Sequence, residues 1–87
     1  MNDVQARAMF RNKLNNRIKA CAIKVVTLAK LTGASTSQVN RWADGHLMPT
    51  YREFTRLCQI FGVEDEYFLG NSTSEGSYVR RFKRGEG

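Results

Sequence analysis

The apolar residues of this chain recur at three- and four-residue steps, the period of helices that bury one face. In the first run, Val4 to Ala22, Phe10, Leu14, Ile18 and then Cys21 or Ala22 fall on one stripe. Arg7, Arg11, Lys13, Arg17 and Lys19 occupy the other positions, so the spacing predicts an amphipathic helix with a basic outer surface. A break around Ile23 and Lys24 leads to a shorter run, Val25 to Leu31, in which Val25, Leu28, Ala29 and Leu31 keep helical spacing. Gly33 then stands where helices commonly end in the left-handed conformation, which glycine adopts without a Cβ clash. Ser35 is placed as N-cap of a third helix over Thr36 to Asp44, closed by Gly45.

Pro49, the only proline, precedes a fourth helix from Tyr51 to Phe61 with Phe54, Leu57, Cys58 and Phe61 on its apolar side. Thr50 and Glu53 have capping-box spacing at its start. Glu64 to Leu69 reads as a short fifth helix, its carboxylates at the end that the helix dipole favours. Beyond Gly70, the run Asn71 to Ser77 has linker composition, and Tyr78 to Arg84 is too short and basic to assign. The expectation is an all-α chain: five helices over 1–70, the first one extended, and a flexible basic tail or linker over 71–87.

Length and composition narrow the partners. Eighty-seven residues make one small domain, and 41% apolar content suffices for a modest core. Fourteen Lys and Arg against eight Asp and Glu leave a net charge of +6, which points to an acidic partner, nucleic acid first and an anionic membrane surface second. The charge is uneven. Residues 1–30 carry seven cations against Asp3 alone, 31–50 are neutral overall, 51–70 are net acidic and 71–87 net basic. No apolar run approaches the roughly 20 residues that span a bilayer, and the N-terminus lacks a signal-peptide pattern, so the expected location is the cytoplasm. Cys21 and Cys58 are far apart in helical stretches and read as two buried free thiols. His46 has no second ligand at metal spacing, so no metal and no cofactor is expected.

The segment from Val25 to Asp44 is a helix, a tight glycine turn and a helix, the arrangement in which a second helix can enter the DNA major groove. At about 100° per residue, Val39 and Trp42 share one side of that second helix and belong to a core. The opposite side is centred on Ser37, Asn40 and Arg41, with Thr36 and Gln38 flanking. Short hydrogen-bonding side chains around a single cation suit the reading of base edges. Gln38 or Asn40 can pair with adenine N6 and N7, Arg41 with guanine O6 and N7, and Ser37 or Thr36 with several edges. Each good bidentate pair contributes about 1 to 3 kcal/mol of discrimination.

The stretch Leu28-Ala29-Lys30-Leu31-Thr32-Gly33-Ala34-Ser35-Thr36-Ser37-Gln38-Val39-Asn40-Arg41-Trp42-Ala43-Asp44-Gly45 resembles the DNA-binding motif of the phage CI/Cro repressor family, also called the XRE family. The likeness runs through Pro49 and 57–63 to Tyr67-Phe68-Leu69-Gly70, which is similar to the family's closing W-L-L-x-G signature. It covers about residues 14–70. Val25 stands where the family usually has Gln, Ala43 where it usually has an acidic residue, and the connection between the first two helices is shorter than is common. The resemblance implies a five-helix lambda-repressor-like domain that binds a palindromic operator as a homodimer in the bacterial host cytoplasm, on the nucleoid. Thr36, Ser37 and Arg41 match its base-reading positions, with Gln38 and Asn40 nearby. Its phosphate contacts would fall to Lys24 and Thr27 and, after the recognition helix, to Asn40, His46, Thr50, Tyr51 and Arg52.

An enzyme is not expected, because no Gly-rich phosphate loop, paired carboxylates or Ser–His–Asp or Cys–His arrangement occurs in recognisable context. The alternative is an antitoxin or protein-interaction adaptor on the same fold. Its tail would bind a partner protein through Tyr78, Val79 and Phe82.

Overall fold

Ala6, Phe10 and Leu14, spaced four apart, are wholly buried along one seam of α1 (Asp3–Cys21), and Ile18 extends that seam against the core. The computed structural model describes residues 3–70 and 74–82, and every element among them is helical. α1 ends at Ala22, whose φ of 53° is left-handed without being glycine. The Ile23 N–H donates back to the Ile18 carbonyl at 3.2 Å and closes the turn.

α2 (Val25–Thr32) and α3 (Thr36–Asp44) follow with the predicted turn between them; Gly33 sits at φ 79°. α4 (Tyr51–Phe61) begins with the predicted reciprocal cap, the Glu53 N–H donating to Thr50 Oγ1 at 3.1 Å and the Thr50 N–H to Glu53 Oε1 at 2.8 Å. α5 (Asp65–Leu69) is one residue shorter than expected because Glu64 is its N-cap. α1 packs against α3 and α5, and α2 against α3 and α4. Leu28, Val39, Trp42, Phe54, Leu57, Phe68 and Leu69 fill the space between them. The radius of gyration is 11.8 Å, close to the roughly 12 Å of a well-packed chain of this size.

The five-helix expectation with a flexible tail needs correction. Glu75–Arg81 forms a sixth helix, α6, capped by Ser74 Oγ accepting from the Ser77 N–H. α6 lies on α4 and inserts Tyr78 and Phe82, each about 1% exposed. Tyr78 packs at a tilt against Phe54 and Phe82, each at 5.0 Å between centroids, and edge-on to Tyr51 at 5.4 Å. Phe54 continues the cluster to Phe68 and Phe10. Such contacts outweigh the weak intrinsic preference of a seven-residue segment. The rest of the predicted tail, 71–73 and 83–87, lies outside the described residues.

The two thiols also differ from expectation. Cys21 is exposed at the end of α1 and accepts a weak hydrogen bond from Arg17 Nη2 at 3.6 Å, while Cys58 is half-buried. Burial, and secondarily the carboxylates of Asp65 and Glu64, push the Cys58 thiol up to about 11.

Candidate nucleic-acid interface

α3 is held at both ends before any side chain on it is considered. At its start Ser35 Oγ accepts from the Gln38 N–H at 3.1 Å, and Gln38 Oε1 accepts from the Ser35 N–H at 2.9 Å. At its end Gly45 adopts φ 81°, and a Cβ there would lie 3.1 Å from Arg11 Cδ. Asn15 of α1 reaches across to donate to the Ala43 carbonyl at 2.9 Å, which the last turn of the helix leaves without an intrahelical partner. Val39 and Trp42 are wholly buried beneath α3. The Trp42 indole N–H has no hydrogen-bond partner, so packing alone positions that ring.

On the opposite side Thr36, Ser37, Asn40 and Arg41 are all exposed. They form one polar strip along a helix about 13 Å long, on the scale of the major groove width. Gln38 does not belong to it in the same way. It is half-buried, and its carbonyl oxygen is engaged in the capping box. A bidentate adenine contact would need the amide nitrogen together with the remaining lone pair of that oxygen, in the orientation that the cap imposes. Asp44, unassigned in the sequence, is exposed and lies at the same helical phase, between Asn40 and Ser37. The 100° step from Thr36 could have found it.

The residues assigned to phosphate contacts fall into two groups along the chain. Lys24 and Thr27 are exposed at the start of α2, on the rim of a cleft of about 520 Å³ between the α1–α2 corner and Ile60 and Phe61 of α4. Lys24 is the N-cap of α2 without a side-chain cap, which leaves first-turn N–H groups without a side-chain acceptor. Val25, where the family usually has Gln, is half-buried and packs on the core. In the second group His46, Thr50 and Arg52 are exposed, projecting around the buried Met48 and Pro49. Thr50 Oγ1 caps α4 but keeps its proton free to donate. Tyr51 is different: it is half-buried, with its ring among Phe54 and Tyr78.

Much of the basic surface expected of α1 is used within the molecule. Lys13 Nζ lies 4.8 Å from the Tyr67 ring centre, and the Arg17 guanidinium carbon 6.0 Å from it. Arg11 lies against Gly45. Among the α1 cations only Lys19 is fully exposed. Of the three tail anchors, Tyr78 and Phe82 are occupied by this chain's own core, and Val79 alone is exposed. Among the described residues no helix is long and apolar enough to cross a membrane. Comparison with protein-family models, curated proteins and solved structures finds no match to this chain.

Proposed function

We propose that this chain is a sequence-specific double-stranded DNA-binding regulator of the phage repressor type, which places α3 in the major groove and binds a palindromic operator as a homodimer. The observation that carries this reading is the two-sided character of α3. Val39 and Trp42 anchor one side in the core, while Thr36, Ser37, Asn40 and Arg41 stand exposed on the other. Arg41 pairs with guanine, Asn40 with adenine, and the two hydroxyl residues adjust to neighbouring edges. Lys24, Thr27, His46, Thr50 and Arg52 engage phosphates, which set register without reading sequence.

The deciding experiment is selection of preferred duplexes from a random DNA pool, followed by titration of the selected site and a scrambled one at several salt concentrations. Arg41→Ala is expected to remove most of the preference, a loss of about 1 to 3 kcal/mol of discrimination. Lys24→Ala is expected to weaken both duplexes alike and to reduce the salt slope by about 1. Equal affinity of the intact protein for selected and scrambled DNA would sink the proposal.

A further inference from the structure

The turn that follows α3, residues 45–50, is fixed at its first end by contacts from α1: Arg11 against Gly45 and Asn15 on the Ala43 carbonyl. Its far end is fixed from another direction. The buried Tyr78 hydroxyl donates to the Pro49 carbonyl at 2.6 Å, across 29 residues of sequence. That carbonyl lies one residue before the N-cap of α4, whose own ladder begins with the Phe54 N–H on the Thr50 carbonyl at 2.8 Å. The helix therefore leaves the Pro49 oxygen unused. Pro49 is itself buried, so its carbonyl needs an internal partner, and the tyrosine supplies one.

We infer that Tyr78 is a positioning residue for DNA binding: through the Pro49 carbonyl it orients His46, Thr50 and Arg52, so that α6 sets the affinity of a surface it does not itself form. This rests on the proposed DNA-binding function. The geometry carries it because Tyr78 is the point at which α6 touches the turn by a directional bond, whereas Phe82 contributes apolar packing. Removing the hydroxyl frees the end of the turn without disturbing the ring contacts to Phe54 and Tyr51. The three side chains then have to be ordered by DNA at the moment of binding, which weakens every duplex by a similar factor. Base choice stays with α3.

The test uses the full chain and the variants Tyr78→Phe and Phe82→Leu, the second of which trims apolar packing at the C-cap of α6 while keeping the hydroxyl and its bond. Amide exchange across 46–50 and the affinity and salt slope for selected and scrambled duplexes are measured well below the unfolding temperature. Tyr78→Phe should speed exchange in the turn and weaken both duplexes about fivefold, the equivalent of one hydrogen bond, with an unchanged salt slope and an unchanged ratio between them. Phe82→Leu should bind like the parent. Unchanged exchange, unchanged affinity, or equal weakening by Phe82→Leu overturns the inference. If the parent chain shows no DNA binding, the proposed function falls and the DNA role of Tyr78 with it, while exchange in Tyr78→Phe still decides whether the hydroxyl orders the turn.

Discussion

Gln38 shows how one side chain can fit two patterns of which only one is seen engaged. Its place beside the exposed strip suggests a base contact, yet Ser35-Thr36-Ser37-Gln38 also has capping-box spacing, and the oxygen is used there. Gln38→Ala is therefore expected to cost about 1 kcal/mol of stability, seen as a lower denaturant midpoint, and to leave the preferred DNA sequence unchanged. The capping role was legible in the spacing; geometry shows the oxygen engaged in it. The cysteines carry a second residue-scale prediction. At pH 8 an alkylating reagent should modify the exposed Cys21 well before Cys58, whose thiol is held protonated to about 11. The folded state holds the Cys58 proton more tightly than the ordinary value of 9.0. Its contribution to stability is complete below pH 9 and fades as pH rises through 11. Denaturation of the parent and Cys58→Ala between pH 8 and 11 should show the parent losing more stability.

At the scale of elements, α3 is a rigid platform because α1 holds its C-terminal end. Asn15→Ala leaves the Ala43 carbonyl without its cross-helix donor, and about 1 kcal/mol of stability should be lost in chemical denaturation. That link was invisible in the sequence, where Asn15 is one more polar residue on the outer side of α1. Asp44 belongs to the same platform. Its carboxylate repels phosphate but can accept from cytosine N4, so Asp44→Asn should strengthen binding to scrambled DNA and narrow the gap to the selected site. The basic character of α1 was legible, but its use was not. Lys13 lies over Tyr67, and Lys13→Ala should lower stability by about 0.5 to 1 kcal/mol with little effect on DNA affinity.

The whole molecule depends on the segment that composition assigned to a tail. Tyr78 and Phe82 complete an aromatic cluster that reaches Phe54, Phe68 and Phe10. Phe82→Ala should cost about 3 to 5 kcal/mol, a large share of the stability of so small a domain. A chain ending at Gly70 should accordingly melt far below the parent, or lose its cooperative transition, in calorimetry. A melting temperature unchanged by that truncation would show that 1–70 is the independent domain its composition suggested. One anchor, Tyr78, in a seven-residue helix that contains Gly76 and ends in Arg80 and Arg81, with the second, Phe82, at its C-cap, gives too little periodicity to stand out from a basic linker.

What the sequence determined by itself is local. Helical period, caps and glycine positions are interactions within four or five residues, and they place α1 to α5 and the buried and exposed sides of α3 to within a residue or two. Tertiary structure decided what long-range contacts decide: that 74–82 is part of the core, that Lys13 and Arg17 turn inward to Tyr67, and that Tyr78 meets the Pro49 carbonyl. Each joins groups far apart along the chain, and no local pattern of hydrophobic and polar residues encodes which distant partner a side chain will find.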